Sequence, residues 1–539
     1  MRQHADTIYI SDAIFTGNSL KPISGALAVS GKHILAVGSF EDMAEYTDAD
    51  TKIIPCQDKL ILPGFHDSHV HFVYGAMQND EDLGFDLSDC TSLAQCVERA
   101  KKFADMHPEN QWVYGKGWNE VSWVGGELPS RELLDEAIPD RPVYLASWDL
   151  HSGLVNKKAL ERMGWDRSTP DLEDSTLGRY EDGELTGLIR EPGYLNPVNN
   201  AALQCPDLPK TVAKAIKTAN AYGITSLGVV HPYGSLSEEE TVDLFKQMEE
   251  DHLLTLRIHL FMELKEDLTE VKKTEKRCDS DMFHVSGLKL ITDGVCESYT
   301  GYLSEPYADN PSTCGELQIG AERLTKLLLH ADAEGYSVRL HTIGNGAVNN
   351  ALNCFEKVMA ANGNKGLHHA LEHIESCKPE DIDRISKMGI MASMQPVHAI
   401  LNVDGYPKLL GEKWIPYMWP IKTLIDAGAT YCLGTDYPVV GLNPMEGIHA
   451  AITRQSPSGY PDGGFVPKQK ISLGQALQGY TYGSALVANY QDKIGTLTEG
   501  KYADFIIMDR NLFTCSPEEI LDAVVEKTFV GGKLVYSRT

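Results

Sequence analysis

No window of the chain approaches 18 uninterrupted apolar residues, and the opening MRQHADTIYISDAIFTGN lacks the apolar stretch of a signal peptide. Neither a spanning helix nor a secretory leader is therefore expected. Basic residues are scarce: 48 Lys and Arg stand against 76 Asp and Glu, a formal net charge of −28. Nucleic acid and anionic membranes both call for a basic face, so neither is expected as a partner. The 11 cysteines are scattered, odd in number and without a CxxC pair. A disulfide framework or thiolate zinc site is not expected, and a reducing cytoplasm fits best. Cys56, Cys354 and Cys432 sit within apolar stretches and read as small core residues. No GxGxxG opens a helix after a first strand and no GxxxxGK[ST] occurs, which weighs against nucleotide binding.

What is present is a globular composition, 42% hydrophobic and 23% charged, over 539 residues. That length exceeds one ordinary core and predicts a large barrel with an accessory domain, or two domains. Both ends read as strands. ALAVSGKHILAVG is a hairpin turning at Ser30-Gly31-Lys32, and KTFVGGKLVYS turns at Gly531-Gly532. The two ends are expected to pair into one small β domain. Between them, helix and strand alternate. In LTKLLLHADAEGYSVRLHTIG, Leu324, Leu327, Leu328 and Ala331 fall at helical spacing, Gly335 stands where the helix should stop, and a short strand follows. IKTLIDAGATYCLGTDYP and ANAYGITSLGVVHP repeat this order. Such units of roughly thirty residues predict a parallel sheet, doubly wound or closed as a (β/α)8 barrel. The stretch from about 75 to 204, which holds five of the seven tryptophans, breaks the rhythm and reads as an insertion after an early strand.

LPGFHDSHVHF, residues 62–72, carries three histidines. On a strand, Asp67, His69 and His71 share one face and His66 the other, so His69 and His71 can converge on a metal while His66 points away. Alone, an HxH pair is a weak signal. Further polar residues end later short strands: Lys289 and Asp293 in GLKLITDG, His341 in RLHTIGN, His373 in EHIES and Asp436 in LGTDYP. Groups at the C-terminal ends of barrel strands converge on one mouth. The intervals agree with barrel geometry: if His69 and His71 mark barrel strand 1, Lys289 strand 4, His341 strand 5 and His373 strand 6, then Asp436 marks strand 8.

This pattern, with the phrases LPGFHDSHVHF, DLHSGLVNKKAL, GLKLITDG, RLHTIGN, EHIES, SMQPVH, LGTDYP and GTLTEGKYADFIIMD, resembles the amidohydrolase superfamily. Within it, the wording is similar to amidohydrolase family 3, which includes N-substituted formamide deformylase and hydrolases like the exoenzyme regulatory proteins. The resemblance implies a (β/α)8 barrel over about 62–490, a discontinuous β-sandwich domain from 1–61 and 491–539, and the insertion after barrel strand 1. It implies one or two divalent ions, most often zinc. His69 and His71 would hold the first and His341 and His373 the second, with Lys289 bridging as a carbamate. Asp436 would bind the first ion and move the proton of the attacking water. His151 and His398 fall where the family places substrate contacts, and Asp67 and Asp293 would support the ligands through hydrogen bonds. Glu297, Tyr299, Tyr302 and Asn345 depart from the family's usual wording near the mouth and bear on substrate rather than on ligands.

The expectation is a metal-dependent hydrolase cleaving an amide, N-acyl or N-formyl C–N bond of a small molecule. The insertion's tryptophans, with Tyr299, Tyr302, Trp414 and Trp419, suggest an apolar or aromatic substrate. Deamination, lactone or ester hydrolysis and isomerisation are the catalytic alternatives, and a non-catalytic scaffold is the other class. A homo-oligomer is compatible with the sequence.

Overall fold

The computed structural model describes residues 4–120, 123, 129–148, 152–172, 175–230 and 236–538. The chain forms two compact units, one essentially Val73–Ala215 and the other made by the remainder.

Following the chain, β1 (Thr7–Ile14), β2 (Ile23–Ser30), β3 (His33–Gly38) and β4 (Lys52–Pro63) come first. The hairpin between β2 and β3 turns through Gly31, whose φ of 56° admits a residue without a Cβ most easily. Then β5 (Phe65–Val70) opens the barrel. The second unit follows with β6 (Phe85–Asp86), β7 (Val113–Trp118), β8 (Val143–Ser147), β9 (Ser152–Val155), β10 (Thr176–Arg179) and β11 (Leu185–Arg190). These form a six-stranded sheet in the order β10-β11-β9-β8-β7-β6. Its core includes Trp118, Trp123, Phe103 and Leu145. Trp118 packs against Trp123 at 5.5 Å and donates its indole N–H to the Leu145 carbonyl at 2.8 Å. These two tryptophans are packing residues in the core of their own unit.

The barrel resumes with β12 (Ile224–Val230), β13 (Arg257–Glu263), β14 (Phe283–Ile291), β15 (Val338–Thr342), β16 (Ala370–His373), β17 (Met391–Met394) and β18 (Tyr431–Leu433). The eight strands run β18-β17-β16-β15-β14-β13-β12-β5, every pair parallel. Closure comes from beyond the end of β18: Asp436 N–H donates to the His69 carbonyl at 2.8 Å, and His71 N–H to the Tyr437 carbonyl at 2.7 Å. The repeated grammar of the sequence has a physical basis here. The helix Ala321–Ala333 buries Leu324, Leu327, Leu328 and Ala331 and leads through Gly335, at φ 91°, into β15. Sequence order along the chain thus equals strand order around the barrel.

Finally β19 (Phe505–Met508), β20 (Val525–Val530) and β21 (Lys533–Ser537) return to the first strands. Both ends form one small β domain, its seven strands hydrogen-bonded in the order β21-β20-β19-β4-β1-β2-β3, and edge strand β3 reaches back to the segment before β19, where Ile34 N–H donates to the Lys501 carbonyl at 2.8 Å. Strand β4 lies between β1 and β19 and runs almost directly into β5, so the terminal sheet and the barrel share one chain path. Arg257 of β13 ties them further, donating to both oxygens of buried Asp504 at 2.6 and 2.9 Å.

Near the starts of their strands, His66, His259 and His284 form a buried stack. His66 lies parallel to His259 with centroids 4.6 Å apart, and His259 meets His284 with its Nδ1 3.0 Å from Nε2. Burial, together with the Arg339 charge, lowers His66 to about 3; burial, with Arg257, lowers His284 to about 4. Both stay neutral in the fold, while an unfolded imidazole titrates near 6.5. Their contribution to stability is full above about 6.5 and is lost as pH falls toward the folded values. With His259 also lowered, unfolding should take up as many as three more protons, a slope of about 4 kcal/mol per pH unit. His284→Gln should narrow the gap between urea midpoints at pH 7 and pH 5. An unchanged gap would show that the stack does not set acid stability.

Candidate metal centre

The strands deliver their polar ends to one buried place, and they do so by breaking strand periodicity. Between Asp67 and Val70 the register of β5 against β12 shifts, so His69 does not follow the simple alternation used to place it. His373 and Asp436 both have left-handed backbones, with φ of 72° and 63°. For residues with side chains this conformation costs of order 1 kcal/mol or more and persists only where the surroundings impose it. At His373 its effect is visible. Glu372 and His373 are consecutive, yet both side chains reach the same centre.

His69 Nε2 lies 3.4 Å and His71 Nε2 3.3 Å from Asp436 Oδ1. On the other oxygen, Oδ2, His373 Nδ1 and His398 Nε2 each lie at 3.9 Å. The His341 ring stands edge-on to that of His373 at 4.5 Å, with its Nδ1 3.1 Å from Asp293 Oδ1. Asp293 is fully buried and also accepts backbone N–H groups from Tyr302, Ile343 and Gly344. Asp67 accepts from the Thr435 hydroxyl and N–H at 2.6 and 2.9 Å and from His69 N–H at 3.2 Å, which holds the backbone of β5 rather than the His69 ring. Burial raises Asp67 to about 7 against those hydrogen bonds. His66 stands apart in its stack on His259, and His151 lies outside the described residues.

The His69 ring is held by a residue that the sequence did not single out. Glu372 Oε2 lies 2.5 Å from His69 Nδ1, and its other oxygen accepts from Arg339 Nε at 2.5 Å. Arg339 is fully buried and also donates to the Ser68 carbonyl and the Ser393 hydroxyl. Similarly, Gln395 Oε1 lies 2.9 Å from His373 Nδ1, and Glu375 Oε1 lies 3.7 Å from His398 Nδ1. All four stand inside the phrases RLHTIGN, EHIES and SMQPVH, one to three places from a histidine. Proximity to those histidines was the available signal.

The electrostatics suit a cation. Burial, then the charge of Lys289, lowers His69 to about 4, and burial with His341 places His373 well below the usual imidazole range. Both rings are therefore neutral and free to ligate. Burial alone would raise Asp436, but the surrounding histidines hold its carboxyl well below the usual range, so it is ionised. Asp436 Oδ1, Lys289 Nζ and His398 Nε2 are buried with no hydrogen-bond partner. Orphaned polar atoms of this kind are rare and call for a missing partner. Imidazole nitrogens with carboxylate oxygen, and no thiolate, match zinc and similar divalent ions. His69, His71 and Asp436 would hold one such ion, and the histidines around Oδ2 offer a second place.

The profile of the amidohydrolase family matches residues 52–536. The chain belongs to the amidohydrolase family. Membership makes it a hydrolase built on a divalent metal. Among its relatives, this amidohydrolase is similar to Protein LONG AFTER FAR-RED 3 of Arabidopsis thaliana, with 30% identity covering 99% of this chain and 92% of the relative. It is also similar to N-substituted formamide deformylase of Arthrobacter pascens, with 23% identity over all of both chains. An uncharacterized metal-dependent hydrolase of Pyrococcus furiosus, solved by crystallography, has 25% identity and a TM-score of 0.74, covering 95% of this chain and 99% of the other.

Proposed function

We propose that this amidohydrolase cleaves a non-peptide C–N bond, an amide or an N-acyl or N-formyl group, of a small molecule at the mouth of the barrel. One observation carries the proposal: Asp436, ionised, buried and conformationally strained, presents an unpartnered oxygen between His69 and His71. The full-length likeness to an N-substituted formamide deformylase supports the choice of bond. His69, His71 and Asp436 would hold a divalent ion, with zinc favoured by the donors, and a bound ion supplies Lewis acidity toward the carbonyl and toward water. Asp436 accepts the proton of the attacking water and returns it to the departing nitrogen, a general acid–base role. Glu372 keeps the His69 ring turned toward the centre. Lys289 is the proposed carbamate. Burial, with Arg339, lowers its ammonium to about 8, which makes the neutral amine that reacts with carbon dioxide accessible. With eleven free cysteines, a reducing cytoplasm is the proposed compartment.

Dialysis against a strong chelator should lower turnover of N-formyl amines more than about 100-fold, with recovery on adding zinc. Activity retained without metal would sink the proposal. A panel of N-formyl and N-acyl amines, lactones and aminated heterocycles tests the bond. Turnover confined to lactones or heterocycles would replace C–N amide cleavage by one of those reactions.

A further inference from the structure

Among the described residues three arginines are buried, Arg257, Arg339 and Arg454. Two face carboxylates: Asp504 pairs with Arg257, and Glu372 with Arg339. Arg454 faces none among the described residues. Its hydrogen bonds go to main-chain oxygens, from Nε to the Phe465 carbonyl at 2.9 Å and from Nη2 to the Met418 carbonyl at 3.4 Å. The acidic group whose charge bears on it is the Tyr406 phenol. That phenol donates its proton to the His398 carbonyl at 3.0 Å and so brings no negative charge.

Arg454 stands at the C-terminal end of the helix Pro444–Thr453, where the last carbonyls offset part of its charge. The offset is incomplete, since burial still lowers the guanidinium to about 9. A buried charge without an opposite one is costly to a fold.

The surroundings add a second donor. Trp419 is fully buried, and its indole N–H has no hydrogen-bond partner. The Tyr406 ring lies 4.9 Å from that of Trp419 and 5.8 Å from that of Phe465, over which the Arg454 guanidinium sits at 5.9 Å. Arg454 and Trp419 both have left-handed backbones, with φ of 59° and 42°. Guanidinium and indole offer donors and no acceptor. A water could take up their N–H groups but would leave the charge uncompensated. An anion does both, and one negative charge balances one guanidinium. Aromatic walls favour a small ion over a large hydrated one.

We propose that Arg454 and the indole N–H of Trp419 bind a small monovalent anion of the chloride class, which serves as the counter-ion of the buried guanidinium. The ion would tie the segment after β17, through Met418 and Trp419, to the segment after β18, through Arg454 and Phe465. None of these residues belongs to the metal centre, and the proposal stands apart from the reaction catalysed there.

The test uses bromide as a heavy analogue of chloride. In crystals of the wild-type protein grown with bromide, an anomalous peak is expected in contact with the Arg454 guanidinium and Trp419 Nε1. No peak there overturns the proposal. In solution, melts are run from about 1 to about 100 mM chloride, with bulky gluconate keeping ionic strength constant. Wild type should gain about 2 °C in Tm for each tenfold rise in chloride, and Arg454→Met should gain none. A flat response in wild type, or an equal gain in the variant, overturns the proposal. A bromide peak without a chloride response marks an adventitious ion only, and also overturns it. If Arg454→Met does not fold, the bromide peak and the wild-type response decide together.

Discussion

Asp436→Asn is expected to lower kcat/KM by about 10³-fold or more, roughly 4 kcal/mol of transition-state stabilisation. General acid–base catalysis alone accounts for about 10²–10⁴-fold, and the amide also removes the charge that holds the histidine side of the centre together. The substitution is nearly isosteric, and the Asp436 N–H bond to the His69 carbonyl belongs to the backbone, so barrel closure should survive. Steady-state kinetics on an N-formyl amine, with a thermal melt beside them, check both halves. A loss of less than about tenfold would remove Asp436 from the chemistry.

Glu372→Ala should do something different. It leaves the Arg339 guanidinium, fully buried, without its carboxylate. Breaking a buried pair from one side costs about 3–5 kcal/mol, because the remaining charge has no compensation. The variant should melt markedly lower and lose activity as well, since the His69 ring loses its support at Nδ1. Replacing both partners by apolar residues, Glu372→Leu with Arg339→Met, should restore much of the stability but not the activity. If the single variant is as stable as wild type, the pair is not a structural element of the barrel.

These two residues also mark the limit of what the sequence disclosed. Strand-end polar residues gave the order of the barrel, because each βα unit places its last strand residue at the same rim. Strict alternation allows only one of Glu372 and His373 to face inward, whereas it puts Arg339 on the same face as His341. The left-handed backbone at His373, continued at Ile374, brings both Glu372 and His373 to the centre, and such φ reversal leaves little trace in sequence unless glycine performs it. The register shift across His69 is equally silent. At the chain ends, strands were legible from alternation, but the joining of β4 to β19 is a pairing across most of the chain. Local patterns specify strands, not such distant partners.

That distant pairing has a consequence for synthesis. Strand β4 carries the apolar run LILP at its end and lies in the middle of its sheet, yet one of its neighbours, β19, is made some four hundred residues later. At about 5–20 residues per second, the ribosome needs roughly 20–90 s to supply it. Throughout that interval β4 has an open edge of the kind that recruits other chains. The nascent protein should therefore depend on chaperone cover until its last strands emerge, although the barrel's neighbouring strands meet in the order in which they are made.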